Sequence, residues 1–110
     1  MQKYKTLTRT SLSELGNVPF CGVYVVAYMG KIVYVGKASQ DVVSRLIGHW
    51  QNRMNEPLGN WMDKVRADWD NVALDVLEPP DNVNVDYWLQ SAESALVQRL
   101  NPLFNTALVL

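Results

Sequence analysis

Cysteine and histidine are almost missing from this chain. Cys21 and His49 are the sole examples in 110 residues. One cysteine forms no intrachain disulfide and builds no cysteine-based zinc site, so a reducing compartment is the natural setting. One histidine excludes a multi-histidine metal centre. Long apolar runs are missing too. No stretch approaches the roughly 18 residues of a membrane span, and the N-terminus lacks the apolar core of a signal peptide. The expectation is a cytoplasmic protein with no membrane partner. There is no internal repeat, low-complexity segment or linker, and net charge is only −1.

What the chain does have is apolar residues, 48% of the total. That supports one domain over residues 1–110 with a single core, large enough to fold without staples. The small net charge hides a split. Residues 1–55 carry seven Lys and Arg against Glu14 and Asp41, a balance of +5. Residues 56–110 carry Lys64, Arg66 and Arg99 against nine acids, a balance of −6. A first half gathered on one surface would attract phosphates. The plain alternative is a chance division that folding mixes.

The pattern along the chain alternates strand and helix signals. Residues 1–19 are polar and irregular, with a helical turn near Ser11 to Leu15. Gly22 to Tyr28 and Ile32 to Gly36 are β-branched and aromatic runs. Met29-Gly30-Lys31 separates them, a length that suits a tight hairpin with Gly30 at positive φ. Ser39 can cap the following helix, with Asp41 in its first turn. Val43, Leu46, Ile47 and Trp50 have the spacing of a core-facing stripe, which points Arg45 and His49 roughly the opposite way. Pro57 suits the first turn of the next helix, where Leu58, Trp61, Met62 and Val65 repeat the spacing. Val72 to Leu77 reads as a third strand. A last helix over Tyr87 to Leu100 stops at Asn101-Pro102, because proline disfavours helix for the residue before it. The order β-β-α-α-β-α predicts an α+β domain: a small three-stranded, mostly antiparallel sheet flanked by helices.

Glu93 stands out within that last helix. At about 100° per residue, Leu89, Ala92, Leu96 and Leu100 form an apolar stripe with Val97 at its edge, and Glu93 falls inside it. A carboxylate aimed at a core is costly unless compensated. Either its head meets an Arg or a tyrosine hydroxyl, or it is a metal ligand at the floor of a site.

The remaining motifs bear on that choice. Gly22-Val23-Tyr24, nine residues, and Tyr34-Val35-Gly36 follow one another. This pair resembles the motif that names the GIY-YIG nuclease family. Lys37-Ala38 comes next, as in that family's excision-repair incision enzymes. Arg45 lies on the following helix with His49 one turn later. Glu93 is in the last long helix, and Asn105 follows Pro102-Leu103-Phe104. The match spans roughly residues 18 to 107. The resemblance implies a metal-dependent DNA endonuclease that hydrolyses phosphodiester bonds, with one Mg²⁺ held by Glu93 and Mn²⁺ able to substitute. It implies catalytic roles for Tyr24, Tyr34, Arg45, His49 and Glu93, and substrate binding by Lys37, Arg45 and Asn105.

The chemistry fits those residue types. A lone Glu suits Mg²⁺, which keeps several waters. Arg45 offers a planar fork to phosphate oxygens. A phenol acts as a base only where a cation lowers its pKa, and Lys37 and the metal would supply that field. Tyr24 is the favoured base, with Tyr34 and His49 as alternatives. Two further readings remain: a catalytically silent module binding nucleic acid or protein through the same cleft, and a monomeric catalytic cartridge joined to a DNA-targeting subunit.

Overall fold

The computed structural model describes residues 3–16 and 18–104. Its centre is the hairpin of β2 (Gly22–Tyr28) and β3 (Lys31–Ala38). Val, Ile and Tyr dominate both strands, and such residues fit a pleated, half-buried surface. The turn is two residues rather than three, because Lys31 belongs to β3. Met29 and Gly30 both take positive φ, 51° and 81°. Positive φ at both central residues is the type I′ requirement, whose twist matches the flanking strands.

The sheet has four strands, not three. β1 (Thr8–Thr10) pairs with β4 (Ala73–Leu77), β4 pairs with β2, and the order is β1-β4-β2-β3, antiparallel throughout. The added strand has no apolar alternation to announce it. Backbone pairing holds it at the edge, with an Arg9–Asp75 ion pair at 3.0 Å.

Helices cover both faces. α1 (Leu12–Leu15) is a single turn where the sequence suggests one, and Ser11 caps it. α2 (Val42–Gln51) and α3 (Pro57–Val65) lie on one face, over Tyr24, Val26, Val33, Leu74 and Val76. α4 (Val85–Leu100) lies on the other, where Val97, Leu96 and Leu100 meet Val25, Ile32 and Val35. The cap of α2 is Asp41 and not Ser39: its carboxylate accepts from Val43 N at 3.2 Å and Ser44 Oγ at 2.7 Å. Ser39 is left exposed.

Two local features place the site. A bulge falls between Val26 and Ala27, which pair with Tyr34 and Ile32 and leave Val33 without a partner. Val33 and Tyr34 therefore face the same side, while Ile32 and Val35 face α4. The carbonyls of Ile32 and Val33 accept from Leu103 N and Phe104 N at 3.4 and 3.0 Å, which covers that stretch of the edge strand. The second feature is Gly59. A methyl there would overlap the carbonyl oxygen of His49, so α3 rests directly on the backbone of α2.

Candidate active site

The hairpin register settles where the two motif tyrosines point. Tyr24 pairs with Gly36, and Tyr34 pairs with Val26. Opposite residues share a face, so both rings lie on the α2 side, with centroids 6.2 Å apart. The glycine of the second motif has a steric reason. A Cβ at Gly36 would overlap the Tyr24 ring.

His49 is not turned away from the core. It is fully buried, in line with Val42 and Leu46. Those positions are i, i+4 and i+7, a stripe rotated from the one the sequence suggests, and Ile47 is left 37% exposed. Burying an imidazole in place of an aliphatic side chain is costly unless its nitrogens are paired. Here the Tyr24 hydroxyl and His49 Nε2 share a buried hydrogen bond of 2.8 Å. His49 Nδ1 lies 3.4 Å from Glu56 Oε2. The Tyr34 ring packs edge-on against the imidazole at 5.0 Å.

Glu56 is the residue that sequence reasoning misses. It occupies the N-cap position of α3 yet caps nothing. Its Oε1 instead accepts from Arg45 Nη1 at 3.1 Å. A signal was present: Glu stands directly before Pro57, at a position where Ser, Thr, Asp or Asn is usual.

Arg45 is half-exposed on α2. Lys37 pairs in register with Val23, which puts it on the α4 side, and it is exposed. Glu93 is half-buried on that side too, between Leu89 and Val97, the two buried residues of α4. Val97, at the edge of the stripe, is nonetheless buried. Among the described residues the Glu93 carboxylate has no hydrogen bond or ion pair. β3 is the outer strand, so groups from the two sheet faces share its solvent boundary. Lys37 also joins two clefts there: one of about 470 Å³ toward Ser44 and Arg45, another of about 320 Å³ toward Asp86 and Gln90. Those clefts take in Lys37 and Arg45 but not Tyr24, Tyr34 or Glu93. Tyr24 is sealed beneath this boundary. Asn105 lies outside the described residues.

The electrostatics follow from burial. Burial pushes the Tyr24 phenol well above its usual value, helped by neighbouring Tyr34 and opposed by Arg45. Burial raises Tyr34 as well, again opposed by Arg45. Glu93 is raised by burial and held back by Lys37 and Arg45. His49 is pushed down to about 4, first by burial and then by Arg45, with Glu56 opposing. At neutral pH the imidazole is uncharged.

That last shift predicts an acid-sensitive fold. An unfolded histidine titrates near 6.5, so as pH falls the unfolded chain takes up the proton first. Stability should be full above about pH 6.5, fall between there and about 4, and level off below. The loss should be on the order of 3 kcal/mol. Carboxylates titrate in part of the same window, so the measurement is the difference between wild type and His49→Gln in urea melts. Parallel pH profiles for the two proteins would refute it.

No family model, characterised protein or solved structure matches this chain. The split in charge also resolves differently from the single basic surface considered above. Arg9, Arg45 and Arg53 of the first half pair with Asp75, Glu56 and Asp63 of the second. Folding mixes the halves.

Proposed function

We propose that this chain is a metal-dependent nuclease that hydrolyses phosphodiester bonds in nucleic acid, with DNA the first substrate to test. One observation carries the reading. Glu93 is a half-buried carboxylate with no direct partner among the described residues, and its pKa is raised by burial against the opposing charges of Lys37 and Arg45. The GIY-YIG resemblance names the same residues, and the hairpin holds both motif tyrosines on one face.

Glu93 fits Mg²⁺, and Mn²⁺ in its place. No cluster of three or more His, Cys, Asp or Glu that could hold a metal is present among the described residues. A single carboxylate is nonetheless sufficient for an ion that retains waters and takes its other contact from the substrate. When bound, the ion supplies charge relief on the phosphate and the leaving oxygen. The chain supplies the rest. Lys37 and the free donors of Arg45 bind phosphate oxygens. Water attacks phosphorus, its proton passes to a base, and the leaving oxygen departs in line.

The sequence favours Tyr24 as that base, but its ring and hydroxyl are fully buried. Tyr34 is the half-exposed phenol beside Arg45, which offsets part of the rise that burial causes, so the role is assigned to Tyr34, with the field of a bound cation needed to lower its pKa further. Tyr24 and His49 form the packed floor on which Tyr34 rests. A catalytically silent binding module is the competing reading, and the sealed Tyr24 hydroxyl is what favours it. The deciding experiment is a panel of labelled single-stranded, duplex, branched and RNA substrates, with and without Mg²⁺. Mg²⁺-dependent products support the nuclease. Binding without any product supports the silent module. Cleavage that appears only with an added DNA-targeting subunit would make this chain the monomeric catalytic cartridge of a larger enzyme.

Salt dependence follows from the same charges. Arg9 and Arg53 are paired to acids, which leaves Lys37 and the guanidinium donors of Arg45 that Glu56 does not engage to meet phosphate at the site. Binding to a short duplex should weaken with salt with a log–log slope of about −2, at roughly 0.9 per phosphate. A slope steeper than about −5 would place the main binding surface elsewhere.

A further inference from the structure

We propose that Glu56 is the positioning residue of this site: one carboxylate oxygen fixes Arg45, and the other selects the Nδ1–H tautomer of His49. The inference rests on the nuclease reading only where it concerns cleavage.

Four observations converge on it. Glu56 Oε1 accepts from Arg45 Nη1 at 3.1 Å. Glu56 Oε2 lies 3.4 Å from His49 Nδ1, a buried nitrogen that makes no hydrogen bond among the described residues and has this carboxylate as its nearest charge. On its other side His49 Nε2 is 2.8 Å from the Tyr24 hydroxyl. Glu56 leaves its own helix uncapped while its side chain makes these contacts. The backbone enforces the placement, because Gly59 lets α3 sit directly on the His49 carbonyl.

The tautomer follows from donor counting. A neutral imidazole has one N–H and one acceptor nitrogen. A carboxylate beside Nδ1 favours the proton there. Nε2 is then the acceptor, and the Tyr24 hydroxyl donates to it. Without Glu56, Nδ1 would have no acceptor to hold its proton, and the Nε2–H form would compete. The Tyr24 hydroxyl would then have to accept. The groups facing the imidazole are Tyr24 from β2, Tyr34 from β3, Arg45 from its own helix and Glu56 from the start of α3.

Glu56 holds Arg45 through Nη1 alone, so the carboxylate leaves the other guanidinium donors to phosphate and to the neighbouring Tyr34 hydroxyl. The carboxylate orients the fork without covering it. Losing that hold should raise KM, while losing the His49 tautomer should lower kcat through the floor beneath Tyr34.

His49 is the only histidine, so its two ring nitrogens are read directly in ¹⁵N-labelled full-length protein. Wild type should show the neutral Nδ1–H form, taking up a second ring proton only near pH 4. Glu56→Ala should raise the Nε2–H form to a comparable population and move protonation to still lower pH. Cleavage by Glu56→Ala should show a higher KM and a kcat lower by about tenfold or more. Glu56→Gln offers one acceptor in place of two. It should serve Arg45 or His49 but not both, and the protonation midpoint should still drop. If Glu56→Ala does not fold, that midpoint in Glu56→Gln decides. Wild-type-like ring spectra and titration in either folded variant would overturn the proposal. A wild-type protein that cleaves no strand would remove the nuclease reading and leave the tautomer result standing.

Discussion

Glu93→Gln is expected to abolish metal-dependent cleavage and to leave the fold intact. Gln keeps the shape and the packing between Leu89 and Val97, and removes the charge that would hold Mg²⁺. The loss should be at least about 10³-fold, because a bound cation contributes several kcal/mol of charge stabilisation in the transition state. The sign of the stability change separates a site residue from a structural one. Burial raises the Glu93 pKa, so the folded chain binds its proton more tightly than the unfolded chain does. Its charge therefore opposes folding above the raised pKa, and that penalty fades as pH falls through it. Glu93→Gln should be slightly more stable than wild type at neutral pH without metal, and added Mg²⁺ should stabilise wild type alone. A structural carboxylate would give the opposite result, with stability lost and cleavage retained. Cleavage by rigorously purified Glu93→Gln would end the assignment.

The second large effect should come from one tyrosine and not the other. Tyr34→Phe should lower the rate by about 10²–10⁴, the usual loss for a missing general base, with folding unchanged. Wild-type activity should keep rising past pH 9, since burial lifts the Tyr34 phenol above the ordinary value near 10. Tyr24→Phe should behave differently. It removes the donor to His49 Nε2 and leaves a buried nitrogen unpaired, which should cost about 1–3 kcal/mol of stability. Its rate should fall far less than that of Tyr34→Phe. Near-normal cleavage by Tyr34→Phe, with an inactive but folded Tyr24→Phe, would return the base to Tyr24. An activity plateau near pH 6 to 7 would point to His49 instead, against its depressed pKa of about 4.

Both predictions depend on features of unequal legibility. The helices and the central hairpin were readable because each carries a local signal. Gly30 marks the turn, Pro57 opens α3, and Asn101-Pro102 closes α4. The edge strand Thr8–Thr10 was not readable, since its pairing depends on β4, more than sixty residues away. The cap of α2 was displaced from Ser39 to Asp41 because β3 continues through Ala38 and the chain bends before the helix begins.

The site divides in the same way. The sequence by itself determined which chemistry-bearing residues exist, their order, and that Glu93 falls on the buried stripe of a helix. Helical periodicity is local, so no tertiary information was required. Only the tertiary structure decided that His49 turns inward. Its helix has two competing apolar stripes one residue apart, and the sheet selected the one that completes a hydrogen bond with Tyr24. Only the tertiary structure sealed Tyr24 and left Tyr34 at the surface, through a register with Gly36 and a bulge at Val33 that no local pattern specifies. It also brought Glu56 to Arg45 and His49, because the close approach of α2 and α3 at Gly59 is a property of two packed helices and of neither alone.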